Sequence, residues 1–160
     1  MKKFVYLSLA LWVLTVGSLV YMFNKGSTEV SSDNRLAVQL SPKEKDMVLG
    51  EMRTILAAVN GVLHGVAQND LPATASAAKS AGMAMAVDAT PGLMAKLPLD
   101  FKTMGMQLHK DFDALAADID SKKLNQIQII GRLGTMTNSC LACHGNYRIE
   151  AVVTTSPTGI

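Results

Sequence analysis

Residues 121–150 read SKKLNQIQIIGRLGTMTNSCLACHGNYRIE. Within them Ile127, Ile130, Gly134, Thr137, Leu141 and His144 recur in steps of three and four residues, the spacing of one face of an α-helix. Ser121 is a good N-cap, so a helix is predicted from there to about Glu150. Its seam would carry His144 into an interior shared with other helices. Gly134 and Thr137 are small, which would leave room for a flat group between helices.

Three further helices are predicted upstream. Ser41-Pro42-Lys43-Glu44 combines an N-cap serine, a proline at the first helical position and a glutamate at the capping-box position. The helix it starts runs to about Gln68, with a seam of Val48, Met52, Ile55, Val59, Val62 and Val66. Asn69-Asp70-Leu71-Pro72 ends it and opens an Ala-rich helix to about Met85. Asp88 to Pro98, with two prolines and a glycine, reads as the longest connection. The next helix starts near Leu99, with Phe101, Met104, Leu108, Phe112, Leu115 and Ile119 as its seam. No stretch alternates with period two, so no sheet is expected. Four amphipathic helices joined mostly by short connections predict an all-α, antiparallel four-helix bundle over 41–151, followed by a frayed tail at 152–160.

The N-terminal segment differs in character. After Met1-Lys2-Lys3, Phe4 to Phe23 is twenty residues without a charge. At about 1.5 Å per residue this matches a hydrocarbon core of about 30 Å. A cleaved signal usually has a shorter apolar stretch of about 7–15 residues and a small-x-small cleavage site, and no Ala-x-Ala occurs here. An uncleaved anchor over 1–24 is the favoured reading and a removed signal peptide the other. Either exports the domain, because the lysines stay inside. Residues 25–40 contain a polar run rich in Ser, Asp and Asn and read as a linker.

Composition excludes more than it selects. The formal charge is +2, too small to suggest nucleic acid, and no basic patch interleaved with aromatics appears. No acid–base pair or activated nucleophile is grouped on one helix, so enzymatic turnover is not expected. The chain has two cysteines, and both lie in Cys140-Leu141-Ala142-Cys143-His144. A disulfide scaffold would spread an even set along the chain, and a zinc site would want four ligands. A CxxC redox dithiol would prefer a βαβ setting. The CxxCH spacing instead fits haem c attachment: two thiols add to the vinyl groups and the neighbouring imidazole reaches the iron. His64 is expected to face solvent and His109 to be half-exposed and structural. Met83, Met85, Met94, Met104 and Met106 read as packing rather than copper ligands.

The run Cys140-Leu-Ala-Cys-His-Gly-Asn-Tyr147-Arg148 resembles the C-terminal CxxCHxxYR ending of the class II c-type cytochromes, the cytochrome c-prime group and its low-spin relatives. The resemblance extends over about Ser41 to Glu150. It implies one haem held by Cys140 and Cys143, with His144 as proximal iron ligand and Arg148 one turn beyond, beside the haem edge. The distal position would fall on the first helix of the bundle. Met52, on its seam, is the leading candidate, with Leu49 and Met47 as alternatives; Met47 projects to the polar side. A thioether ligand would suit a periplasmic electron carrier. An apolar residue would leave a five-coordinate iron able to bind NO or CO. Expected partners are membrane-bound or periplasmic redox proteins, met on the periplasmic side of a bacterial inner membrane. Residues 4–23 would anchor the chain there, or leave it soluble in the periplasm if cleaved. Members of this family often pair, so a homodimer is among the expectations.

Overall fold

A computed structural model describes residues 2–152. The chain is mostly helical, with 76 % of the described residues in helices. In order the elements are α1 (Lys2–Lys25), β1 (Thr28–Val30), β2 (Leu36–Leu40), α2 (Pro42–Ala67), α3 (Leu71–Ser80), α4 (Pro91–Lys96), α5 (Leu99–Asp120), α6 (Gln126–Asn146) and β3 (Tyr147–Ala151). A short 3-10 segment, Met83–Asp88, lies between α3 and α4.

The cap expected for α2 forms. The Ser41 side chain accepts from the Glu44 amide while Glu44 accepts from the Ser41 amide, a complete capping box at the start of α2. Asp70 caps α3 and Thr90 caps α4. Residues 91–96, expected to be part of a long connection, therefore hold a helix. Ser121 does not start α6. It closes α5, and Asn125 caps α6 through its own capping box with Gln128. The positive φ of Lys122 (55°) marks the reversal between them.

Helices α2, α3, α5 and α6 share one core. It contains Ala58, Val62 and Val66 of α2, Ala75 and Ala78 of α3, Leu108, Phe112, Leu115 and Ile119 of α5, and Ile129, Leu133 and Met136 of α6. Of the predicted seams, Ile55, Val59, Val62 and Val66 of α2 and Leu108, Phe112, Leu115 and Ile119 of α5 face it, while Val48, Met52 and Phe101 turn to a second cluster. The close approach of α3 to α2 depends on Gly65, where a Cβ would come within 2.9 Å of the Thr74 amide nitrogen.

The seam predicted for α6 is corrected. Ile127 is 82 % exposed and Leu141 71 %, and Gly134 and His144 also face outward. The buried stripe is Ile129, Leu133 and Met136, continued by half-buried Cys140 and Cys143. Both stripes have three-four spacing. The buried one carries the larger side chains and fills more core volume than Gly134 and Thr137 could.

A three-stranded sheet is the second correction, because no strand was expected. β1 pairs antiparallel with β2, Glu29 opposite Ala37. β2 pairs parallel with β3, Ala37 opposite Arg148. Residues 25–40 are thus mostly strand and turn rather than a free linker, and α6 gives way to β3 at Tyr147 instead of running on to Glu150. Ala37, Val38 and Leu40 are at most 1 % exposed. A second apolar cluster gathers Val38, Leu40, Val48, Leu93, Leu97 and Phe101, with Met47, Met52, Met94, Cys143, Tyr147 and Ile149 against it. Met47 therefore packs on an apolar cluster, not on the polar side of α2. Val152 is exposed, and residues 153–160 of the expected tail lie outside the described residues.

Helix α1 is 24 residues long, none of them buried, and it is apolar and long enough to cross a membrane.

Candidate functional site

Where α6 passes into β3, the backbone changes from helix to extended at Tyr147 (φ −124°, ψ 151°). The motif occupies the last turns before that change. Cys140 packs on the main core and Cys143 on the second cluster, so the two thiols straddle the junction between them. Burial pushes both thiols above their usual pKa, which keeps them protonated near neutrality. That is the reverse of the depressed value an attacking redox dithiol uses.

A cleft of about 190 Å³ opens beside the motif. Cys143, His144, Tyr147, Arg148 and Ile149 form one wall, with Leu49 and Met52 of α2, Phe101 of α5 and Arg35 completing it. Residues 95 positions apart in sequence, Met52 and Tyr147 among them, therefore meet around one space. His144 is exposed but belongs to this wall. Met47 packs beside the cleft without lining it. Phe101 meets Tyr147 edge-on, with ring centroids 5.4 Å apart at 86°, and fixes the floor.

Arg35 was not expected here. It lies in the tight turn Ser31–Arg35, closed by the Ser31 amide donating to the Arg35 carbonyl at 2.9 Å. The positive φ of Asn34, 65°, is of the kind asparagine tolerates in turns. From this turn Arg35 Nη1 donates to the carbonyls of His144 (3.1 Å) and Tyr147 (3.4 Å). Its Nε and Nη2 donate to Asp33 Oδ2 at 2.9 and 2.7 Å. Asp33 also accepts from Ser31 Oγ and lies 3.5 Å from Arg148 Nη1. Arg35 and Ser31 together hold the Asp33 carboxyl well below the usual carboxylate range. Arg148 Nε is 3.1 Å from Glu150. The site therefore presents two guanidiniums, one clamping the end of the motif helix. A signal for Arg35 existed in sequence: Leu36-Ala37-Val38 after Asp33-Asn34 is a strand following a turn.

The other histidines are elsewhere. His64 is exposed as expected. His109 is buried, 5 % exposed, where half-exposure was expected. Its Nδ1 donates to the Ala81 carbonyl at 2.7 Å, so its role is to join α5 to the end of α3. Met94 sits in the second cluster. Met104 lines a separate, wider cleft of about 540 Å³ with Asn34, Leu36, Asp100, Thr103, Asn146 and Tyr147.

No family model, no curated protein and no solved structure matches this chain. Function must be argued from the residues around the cleft.

Proposed function

We propose that the protein is a mono-haem c-type cytochrome, a four-helix bundle of the class II kind, acting as an electron carrier on the periplasmic side of a bacterial inner membrane. The observation that carries this reading is the cleft, in which the CxxCH end of α6 faces Met52 and Leu49 of α2. The donor set suits the group: two thiols about one helical turn apart, of which Cys143 lines the cleft, and an imidazole and a thioether lining it too. A haem bound there supplies a one-electron ferric–ferrous couple.

The chain's own residues then have separate tasks. Cys140 and Cys143 would hold the group through thioethers, and their packing on two different clusters would fix its position. His144 offers the proximal nitrogen. Met52 would offer a thioether sulfur to the iron, a partner for the imidazole that would raise the potential. Phe101, Ile149 and Leu49 exclude water from that side. Arg148 and Arg35 bring guanidinium donors to the cleft, each already paired with a carboxylate, Glu150 and Asp33, and from there they would hydrogen-bond anionic substituents of the group. The cleft, at about 190 Å³, is smaller than a tetrapyrrole, so a bound haem would extend past it over exposed surface such as Leu141.

A second reading, a five-coordinate binder of NO or CO, draws on Leu49 lining the same wall as Met52. Absorption spectra of the ferric and ferrous protein, with and without CO, separate the two. Electron carriage predicts a low-spin spectrum that does not take up CO and turns high-spin in Met52→Ala. A high-spin, CO-binding wild type would establish the second reading. Absence of a covalent haem band on a denaturing gel would overturn both.

A further inference from the structure

We propose that the chain between Lys25 and Leu40 is a rigid strap holding the Cys140–Arg148 end of the domain against the membrane face, so that the redox partner is a membrane-embedded protein whose electron-exchange site opens at that face. This rests on the haem reading above and on α1 remaining attached as an anchor.

The junction between α1 and the domain is built rather than loose. Gly26 adopts φ +63°, and a Cβ there would lie 2.7 Å from both the Leu97 carbonyl carbon and the Pro98 nitrogen. Only glycine lets the chain leave α1 so close to the start of α5. Ser27 N donates to the Lys96 carbonyl at 2.7 Å, and Gln39 N to the Ser27 carbonyl at 2.8 Å. Lys102 is 7 % exposed. Its Nζ reaches the Phe23 carbonyl at 3.2 Å and stands 3.6 Å from the centre of the Phe23 ring. A buried cation therefore sits on the C-terminal end of α1, where the helix dipole and the ring both favour it.

From that junction the sheet leads directly to the site. Glu29 pairs with Ala37, and Ala37 pairs with Arg148. Two strand spacings amount to about 10 Å. The four residues from Lys25 to Glu29 add at most about 14 Å. Arg35 then bonds the His144 carbonyl from the same strap. The opposite end of the domain is where Gln126 Nε2 donates to Asn69 Oδ1 at 2.9 Å. The helical run from Gln126 to Cys143 separates it from the site by about 25 Å. A free chain over 25–40 could have carried the site some 50 Å from the bilayer; the strap does not. A partner must therefore bring its own centre to the membrane face. The exchange moves one electron, the partner losing what the haem iron gains or the reverse, with no bond made or broken.

The test uses the full-length holoprotein in nanodiscs whose lipids carry gadolinium on their headgroups, with lanthanum lipids as the diamagnetic reference and isoleucine δ1-methyl labels. Ile149 lies at the site end, Ile119 and Ile129 toward the far end. The strap predicts a relaxation enhancement at Ile149 at least about tenfold that at Ile119 and Ile129. Comparable enhancements, or an intact mass lacking α1, would overturn the proposal. Inserting a sixteen-residue Gly-Ser segment between Lys25 and Gly26 should abolish that contrast. In right-side-out membrane vesicles the insert should also slow haem reduction by the resident donors about tenfold, with dithionite reduction unchanged. An unchanged vesicle rate would overturn the assignment of the partner. A missing haem-stained band would instead sink the haem reading, while the methyl contrast still judges the strap.

Discussion

Replacing Arg35 with alanine should loosen the end of the motif helix and lower the stability of the domain by about 1–2 kcal/mol. Arg35 donates to two backbone carbonyls, His144 at 3.1 Å and Tyr147 at 3.4 Å. A charged donor to a shielded acceptor contributes about 1.5–3 kcal/mol. The Arg35 side chain is 34 % exposed and its second bond is long, so solvent screening brings the pair down to about 1–1.5 kcal/mol. The attraction of its charge to the helix C-terminus is the same energy seen another way and is not added. Asp33 loses its main partner but keeps Ser31 and Arg148, and as an exposed group it adds little. For a domain of this size the loss corresponds to about 3–8 °C in Tm. Thermal melts followed by far-UV circular dichroism measure it, with Arg35→Lys as the companion. Lysine keeps the charge without the fork and should recover about half of the loss. The difference between wild type and Arg35→Ala also depends on pH. Asp33 is held below its ordinary pKa mainly by Arg35. A depressed carboxylate stabilises the fold above its unfolded pKa and loses that effect as pH falls through the folded one. The difference should therefore be full at pH 7 and narrow in strong acid. A Tm for Arg35→Ala within about 1 °C of wild type at pH 7 would refute the clamp.

Three further outcomes are expected. Gly65→Ala should destabilise by about 1–2 kcal/mol in urea titrations: overlap with the Thr74 amide nitrogen at 2.9 Å and Cα at 3.0 Å outweighs the helix propensity gained. Gly134→Ala should do the opposite, adding about 0.5–1 kcal/mol, because no atom lies within 4 Å of the new Cβ; loss of haem incorporation in this variant would show instead that the position lines the bound group. Glu44→Gln should cost about 1 kcal/mol at neutral pH, since Glu44 completes the capping box and meets Lys96 at 2.7 Å. Lys96 and Ser41 lower the Glu44 pKa to about 2. Melts of the two proteins should therefore converge as pH falls from the ordinary glutamate range towards about 2.

Much of the helical framework was legible because its signals are local. Ser41-Pro42-Lys43-Glu44 announces α2, and the apolar periods of α2 and α5 point the right faces inward. The strands were not legible in the same way. β1 is three residues and β2 five, too short for alternation to register. β2 is buried along most of its length, so it reads as an apolar run rather than an alternating one. The orientation of α6 was misread for a different reason. Two stripes with the same spacing run along it, one through Ile127, Ile130 and Leu141, the other through Ile129, Leu133 and Met136, and periodicity cannot rank neighbours 100° apart on a helix.

The sequence by itself determined the chemistry available to the protein. Two thiols and an imidazole lie within five residues at Cys140–His144, behind a charge-free segment at Phe4–Phe23, and such patterns are properties of adjacent residues. Tertiary structure alone decided what surrounds them. Met52 and Leu49 reach the motif because α2 packs beside β3, and Arg35 reaches it because β2 pairs with β3 between residues 111 positions apart. No local rule encodes such a pairing. It arises when apolar side chains such as Val38, Leu40 and Val48 find a common interior, and the free energy of that burial depends on the whole assembled surface rather than on neighbours in the chain.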